Sequence, residues 1–191
     1  MSSSDTIHLK QCLSRLRAGD PGARQDLLAA ASDRLTRLTR KMFRSSPRLR
    51  AFEETADVFQ NAVIRLCRAL ESMTPPTLLD FFRLAALQIR RELIDLARHH
   101  ASAPAAPVEN TPEMVDGSPG PDVLAQWREF HEQITCLPED ERAVFDLLFY
   151  QGLTQAEASE LLGVSTRTVQ TRWRNARLVL HQRLRGSFPP L

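Results

Sequence analysis

The chain has 191 residues, 42% hydrophobic and only 6% aromatic, with a net charge of +2. That length suits one ordinary domain or two small ones, built mainly on Leu, Ala, Val and Ile. No apolar run approaches the roughly 18 residues of a membrane span, and the N-terminal MSSSDTIHLKQCL has neither the basic nor the apolar region of a signal peptide. Cys12, Cys67 and Cys136 are scattered and odd in number, which excludes a zinc spacing and points to reduced thiols in a cytoplasmic protein.

The charge is unevenly placed. Residues 1–102 carry 17 basic and 11 acidic side chains, residues 103–125 carry four acidic and no basic ones, residues 126–162 carry two basic and eight acidic, and residues 163–191 carry six Arg and no acid. Two basic blocks flank an acidic middle, a distribution that suits two surfaces facing a polyanion.

A first helix is predicted over Thr6–Ala18, stopped by Gly19, and Asp20-Pro21 resembles a cap with Pro at the first helical position. The second helix runs to Met42 or Phe43 and a basic loop, RSSPRLR, follows. The third covers Glu53–Glu71 and is broken by MTPPT; the fourth covers Leu78–His99. On the fourth, Phe82, Ala86, Ile89 and Ala97 lie within about 40° of Leu93. Gln88, Arg91, Asp95 and Arg98 cluster opposite, and local pairing of Asp95 with Arg91 or Arg98 is expected there.

The segment SAPAAPVENTPEMVDGSPGP has five Pro and two Gly and reads as an extended linker. Beyond it, helices are predicted over Val123–Thr135, Glu139–Tyr150, Thr154–Leu162 and Thr166–Leu184. Thr154 with Glu157 has capping-box spacing. Gly163 allows a sharp turn, and Ser165 caps the next helix, so the pair reads as a helix-turn-helix. Along the last helix, Val169, Trp173, Ala176, Leu180 and Leu184 form one apolar stripe. Arg167, Gln170, Thr171 and Arg174 lie opposite, Arg172 and Arg177 flank the stripe, and Leu178 points outward without an evident reason. Arg, Thr and Gln near the start of such a helix can pair with guanine, adenine and phosphate in a major groove.

Residues 126–185, through LPEDERAVFDLLFYQGLTQAEASELLGVS and TVQTRWRNARLVLHQRL, resemble region 4 of sigma-70 family RNA polymerase sigma factors of the extracytoplasmic-function (ECF) type. The stretch FHEQITCLPEDERAVFDLLFYQGLTQAEA is similar to ECF factors of planctomycete type. ETADVFQNAVIRLCRAL, FFRLAALQIRRELIDLARHH and LRAGDPGARQDLL are similar to region 2. The resemblance implies an all-α protein of two small helical domains joined by a flexible linker: region 2 over 1–101, a Pro-rich acidic linker over 102–122, and region 4 over 123–187.

It further implies a factor that binds core RNA polymerase, directs it to promoter −35 and −10 elements and promotes melting. By the same resemblance, Thr166, Arg167, Gln170, Thr171, Arg172 and Arg174 contact the −35 element. Gln88, Arg91, Asp95 and Arg98 meet the −10 element, with the Met73–Thr77 loop near a flipped base. Asp57, Gln60 and Asn61 face the β′ clamp helices, and acidic residues including Asp140, Glu141 and Asp146 face the β flap. The family commonly has Gly at the position of Arg167 and Lys at that of Gln170, so base preference is expected to differ. An anti-sigma factor is a further partner the family allows.

No P-loop, GxGxxG, HExxH or CxxC motif occurs, so no catalytic site, metal or cofactor is expected, and His99-His100 suits a helix C-terminus. The free protein is expected to be a monomer without membrane association. Two other readings remain: a stand-alone helix-turn-helix regulator acting without polymerase, and a helical adaptor without DNA binding.

Overall fold

The computed structural model describes residues 3–32, 55–102 and 121–185. All regular structure among them is helical: α1 Ser3–Arg17, α2 over residues 23–32, α3 Thr55–Ser72, α4 Leu78–Ser102, α5 Pro121–Thr135, α6 Glu139–Phe145, a π-helical turn Asp146–Tyr150, α7 Gln155–Leu162 and α8 Thr166–Arg183. The predicted all-α class holds. The rest of the second helix, the basic loop and most of the Pro-rich segment lie outside the described residues.

Local chemistry sets the boundaries. The Asp20 carboxylate accepts from the Gly22 N–H (2.9 Å) and its carbonyl from the Ala23 N–H (3.2 Å), which starts α2. The Gly22 N–H and the Arg15 guanidinium together hold the Asp20 carboxyl below the usual carboxylate range. Thr77 caps α4: its hydroxyl accepts from the Asp80 N–H (3.1 Å) and donates to the Asp80 carboxylate (2.6 Å). Such caps satisfy donors that a helix leaves open in its first turn.

The single helix predicted over Glu139–Tyr150 instead widens at Asp146, with the Gln151 N–H donating to the Asp146 carbonyl (3.1 Å). Phe145, Asp146, Leu147 and Tyr150 are all buried there. A one-turn π insertion re-aims side chains that a regular helix would send elsewhere.

Two core clusters share α4 as their spine. In the first, Leu9, Cys12 and Leu13 of α1, Leu27 of α2, Leu66 and Leu70 of α3, and Phe81, Phe82 and Ala85 of α4 meet Val144, Leu147, Leu153, Ala158 and Val169 from beyond the Pro-rich segment. In the second, Ala86 of α4 joins Phe130 and Ile134 of α5, Phe145, Tyr150, and Ala176, Leu180 and Leu184 of the last helix. Trp127, Phe149 and Trp173 pack around this group edge-on or tilted. Helices from both halves of the sequence thus bury one another's apolar faces.

Polar contacts cross the same seam. Arg90 Nη2 donates to Asp146 Oδ1 at 2.6 Å with both side chains buried, and the guanidinium sits 5.3 Å from the Tyr150 ring centroid. Gln151 Nε2 donates to the Phe82 carbonyl (3.4 Å), and Arg98 pairs with Glu132 (3.0 Å). Burial pushes the Asp146 carboxyl up, against the opposing pull of Arg90.

Candidate nucleic-acid interface

The C-terminal helix pair is built as its sequence implies. Thr154 Oγ1 accepts from the Glu157 N–H (3.3 Å), and a Glu157 carboxylate oxygen accepts from the Thr154 N–H (2.9 Å), completing a capping box at the start of α7. Gly163 closes α7 at φ 65°, ψ 30°, a left-handed conformation that disfavours a Cβ. Two residues later the Ser165 hydroxyl accepts from the Thr168 N–H (3.1 Å) and opens α8.

The stripe on α8 is also as expected. Val169, Ala176, Leu180 and Leu184 are buried and Trp173 is half-buried against both clusters. Anchoring that face turns Thr166, Arg167, Gln170, Thr171 and Arg174 into solvent. The guanidinium groups of Arg167 and Arg174 make no hydrogen bond or ion pair among the described residues. The other candidates are already engaged. The Thr171 hydroxyl donates to the Arg167 carbonyl (3.0 Å) and that of Thr166 to Ser159 Oγ (3.4 Å). Gln170 Nε2 donates to Gln155 Oε1 (3.1 Å), and Arg172 is ion-paired with Asp140 of α6. Leu178 is 56% exposed, as its angular position predicts.

On α4 the open face is narrower than predicted. Gln88 is buried at 6% exposure and does not share a solvent face with Arg91. The helical projection assumed one apolar side, but α4 has two: Ala86, Ile89 and Leu93 face the α5 cluster, while Phe81 and Ala85 belong to the other cluster, and Gln88 and Glu92 follow them at helical spacing on the α3 side. Arg65 of α3 confirms that side by bridging Glu92 (2.8 Å) and Asp95 (2.7 Å). The local Asp95–Arg98 pair is present at 3.8 Å but is the longer of Asp95's two. Arg91 is exposed and unpaired among the described residues, and Arg98 is shared between Asp95 and Glu132. Met73, in the loop before α4, is 49% exposed.

On α3, Gln60 and Asn61 are exposed beside Ile64, itself 46% exposed; the side chain of Asp57 lies outside the described residues. Of the acidic residues expected to share a partner surface, Asp146 is buried on Arg90 and Asp140 is paired with Arg172; Glu141 is half-exposed.

Sequence reasoning passed over Gln155, Arg90 and His131, and expected Asp146 on a partner surface, whereas it is buried on Arg90. Arg90 and Asp146 did carry a signal. Arg90 sits about 60° from Leu93, beside the apolar stripe, and Asp146 interrupts the apolar run AVFDLLFY, where a charge needs a partner.

These features define a helical protein carrying a capped helix-turn-helix whose second helix offers an unpaired Arg row to solvent. The family model for ECF sigma factors matches residues 7–186, and the chain belongs to that family. Among curated proteins, no sequence matches it. It is therefore a transcription initiation factor that works with core RNA polymerase on promoter DNA. No described helix is long and apolar enough to cross a membrane.

Proposed function

We propose that α8 enters the major groove of a promoter −35 element, that α4 meets the −10 element, and that the chain helps core polymerase melt the latter. The observation that carries this reading is the exposed row Arg167, Gln170, Thr171 and Arg174 on a helix whose opposite face is locked into the core. Those side chains match base-edge and phosphate chemistry at the end of the helix that docks deepest. Thr166 belongs to the same row, and Arg172 joins it by exchanging Asp140 for a phosphate. At the −10 element, Arg91, Asp95 and Arg98 are the contact candidates, and the exposed Met73, in the loop before α4, is the candidate to pack on an unstacked base. Gln88 supports their helix from within. The exposed Gln60, Asn61 and Ile64, with Asp57 on the same helix, form the surface for the β′ clamp helices, and Glu141 is the open acid for the β flap.

The test is transcription from a promoter pool with purified chain and core polymerase. Selective initiation that needs the chain, and loses its selectivity with Arg167→Ala plus Arg174→Ala, is the expected result. Failure to form a stable complex with core polymerase would sink the reading. Tight sequence-specific duplex binding without polymerase, combined with that failure, would favour a stand-alone regulator.

A further inference from the structure

We infer that Gln155, at the start of α7, is a positioning residue that sets which base Gln170 reads; this rests on the −35 reading of α8. The two amides lie on adjacent helices and meet at the solvent edge, Gln170 Nε2 donating to Gln155 Oε1 at 3.1 Å. Both backbones are fixed at that point, one by the Thr154–Glu157 capping box and the other by the Ser165 cap and the buried Val169.

A Gln amide can present itself to a base in two ways, related by a half-turn about its last torsion. One places a donor where the other places an acceptor. The Gln155 carbonyl selects one of them. It takes one N–H of Gln170 and would face the Gln170 carbonyl, acceptor against acceptor, if that amide turned over. When Gln170 donates the N–H that points away from its own Oε1, the other N–H is left beside that oxygen, one donor next to one acceptor. That pair is the complement of adenine, whose N7 accepts and whose N6 donates in the major groove.

The opposite edge of Gln155 is its own amide N–H group. At the N-terminus of α7, beside the groove that α8 occupies, its natural acceptor is a backbone phosphate. A phosphate that takes an N–H from Gln155 also holds the Gln155 carbonyl toward Gln170. Backbone docking and base reading are thereby coupled through two side chains.

The experiment uses the full chain with core polymerase and a pool of duplex promoters randomised across the −35 element, sequencing those retained in stable complexes. The wild-type chain should prefer adenine by about fivefold or more at one position, the scale of one bidentate contact. Gln170→Ala should erase that preference. Gln155→Ala should reduce it to within about twofold of the other bases, at that position alone. Gln155→Glu keeps an acceptor for the Gln170 N–H but offers a phosphate only negative charge, so it should retain the preference while weakening binding to every sequence.

Thermal midpoints of all variants close to wild type establish that the fold is intact; both positions are on the surface. An adenine preference unchanged in Gln155→Ala but lost in Gln170→Ala overturns the inference and leaves the reading of α8 standing. Loss of preference in Gln155→Glu as complete as in Gln155→Ala also overturns it. If Gln170→Ala alters no position, the inference is overturned, and if Arg167→Ala plus Gln170→Ala also alters none, the −35 reading of α8 itself fails.

Discussion

Arg90 and Asp146 form a buried ion pair, 2.6 Å from Nη2 to Oδ1, that ties the middle of α4 to the π-helical turn. Neither charge reaches water: the side chains are 3% and 7% exposed. The pair does not make the fold more stable than an apolar contact would, since desolvating both ions offsets their attraction. Removing one partner is a different matter. Asp146→Ala strands a guanidinium in the core and should cost about 3–5 kcal/mol, read as a lower urea midpoint. Arg90→Met with Asp146→Leu should recover most of that loss. A double variant no better than the single one would contradict the account.

His131 supplies a pH dependence with a definite sign. Its Nδ1 meets the Tyr150 hydroxyl at 2.6 Å, its Nε2 has no partner among the described residues, and burial drives its pKa down to about 3, the charge of Arg90 adding to the effect. The unfolded chain protonates this imidazole near its ordinary value of 6.5. Between those values the unfolded state therefore holds the extra proton, so stability is full above the upper limit and falls as pH drops through the window. The slope approaches about 1.4 kcal/mol per pH unit for one proton. His131→Gln, which still offers Tyr150 a polar partner, should remove this component. The check is the difference between wild-type and variant urea stabilities at pH 7 and pH 5; a constant difference would show that His131 is not the source.

How much of this could be read from sequence depends on the range of the interaction. The helix-turn-helix was legible because its determinants are local: Thr154 and Glu157 three apart, Gly163 at the turn, Ser165 and Thr168 three apart. The α8 stripe was legible because only one face of that helix is buried. The same method misplaced Gln88, because α4 is buried on two sides and a projection cannot say which neighbours are present. Arg90 and Asp146 are 56 residues apart, so nothing local couples them. Gln155 and Gln170 are separated by 15 residues, and their contact follows only once the turn between their helices is built.

The caps of α7 should matter to the fold in proportion to the donors they satisfy. Thr154→Ala loses the hydroxyl half of the capping box and should cost about 1 kcal/mol. Gly163→Ala meets no steric neighbour within 4 Å but must hold φ at +65°, which should cost about 1–2 kcal/mol from backbone strain alone. Gly163→Asn should be milder, because Asn tolerates that conformation. Thermal midpoints of the three variants rank these effects. Gly163→Ala as stable as wild type would mean that the turn relaxes to another conformation.

Arg167 and Arg174 are both exposed on α8, and neither guanidinium makes a hydrogen bond or ion pair among the described residues; their expected roles differ by position. Arg167 is the second residue of the helix, at the end that meets base edges; Arg174 lies two turns further along, where the helix runs toward the sugar-phosphate wall. A phosphate contact releases a counterion, whereas a base contact discriminates. Arg174→Ala should weaken promoter binding by a similar factor on every sequence and make the slope of log affinity against log salt shallower by about one unit. Arg167→Ala should instead flatten the preference at a single −35 position, by about 1–3 kcal/mol if the contact is a bidentate one to guanine. Polymerase-bound affinities on matched and singly substituted promoters, across a salt series, separate the two. An unchanged salt slope in Arg174→Ala would remove it from the phosphate-binding set, and an unchanged base profile in Arg167→Ala would leave Gln170 as the principal reader.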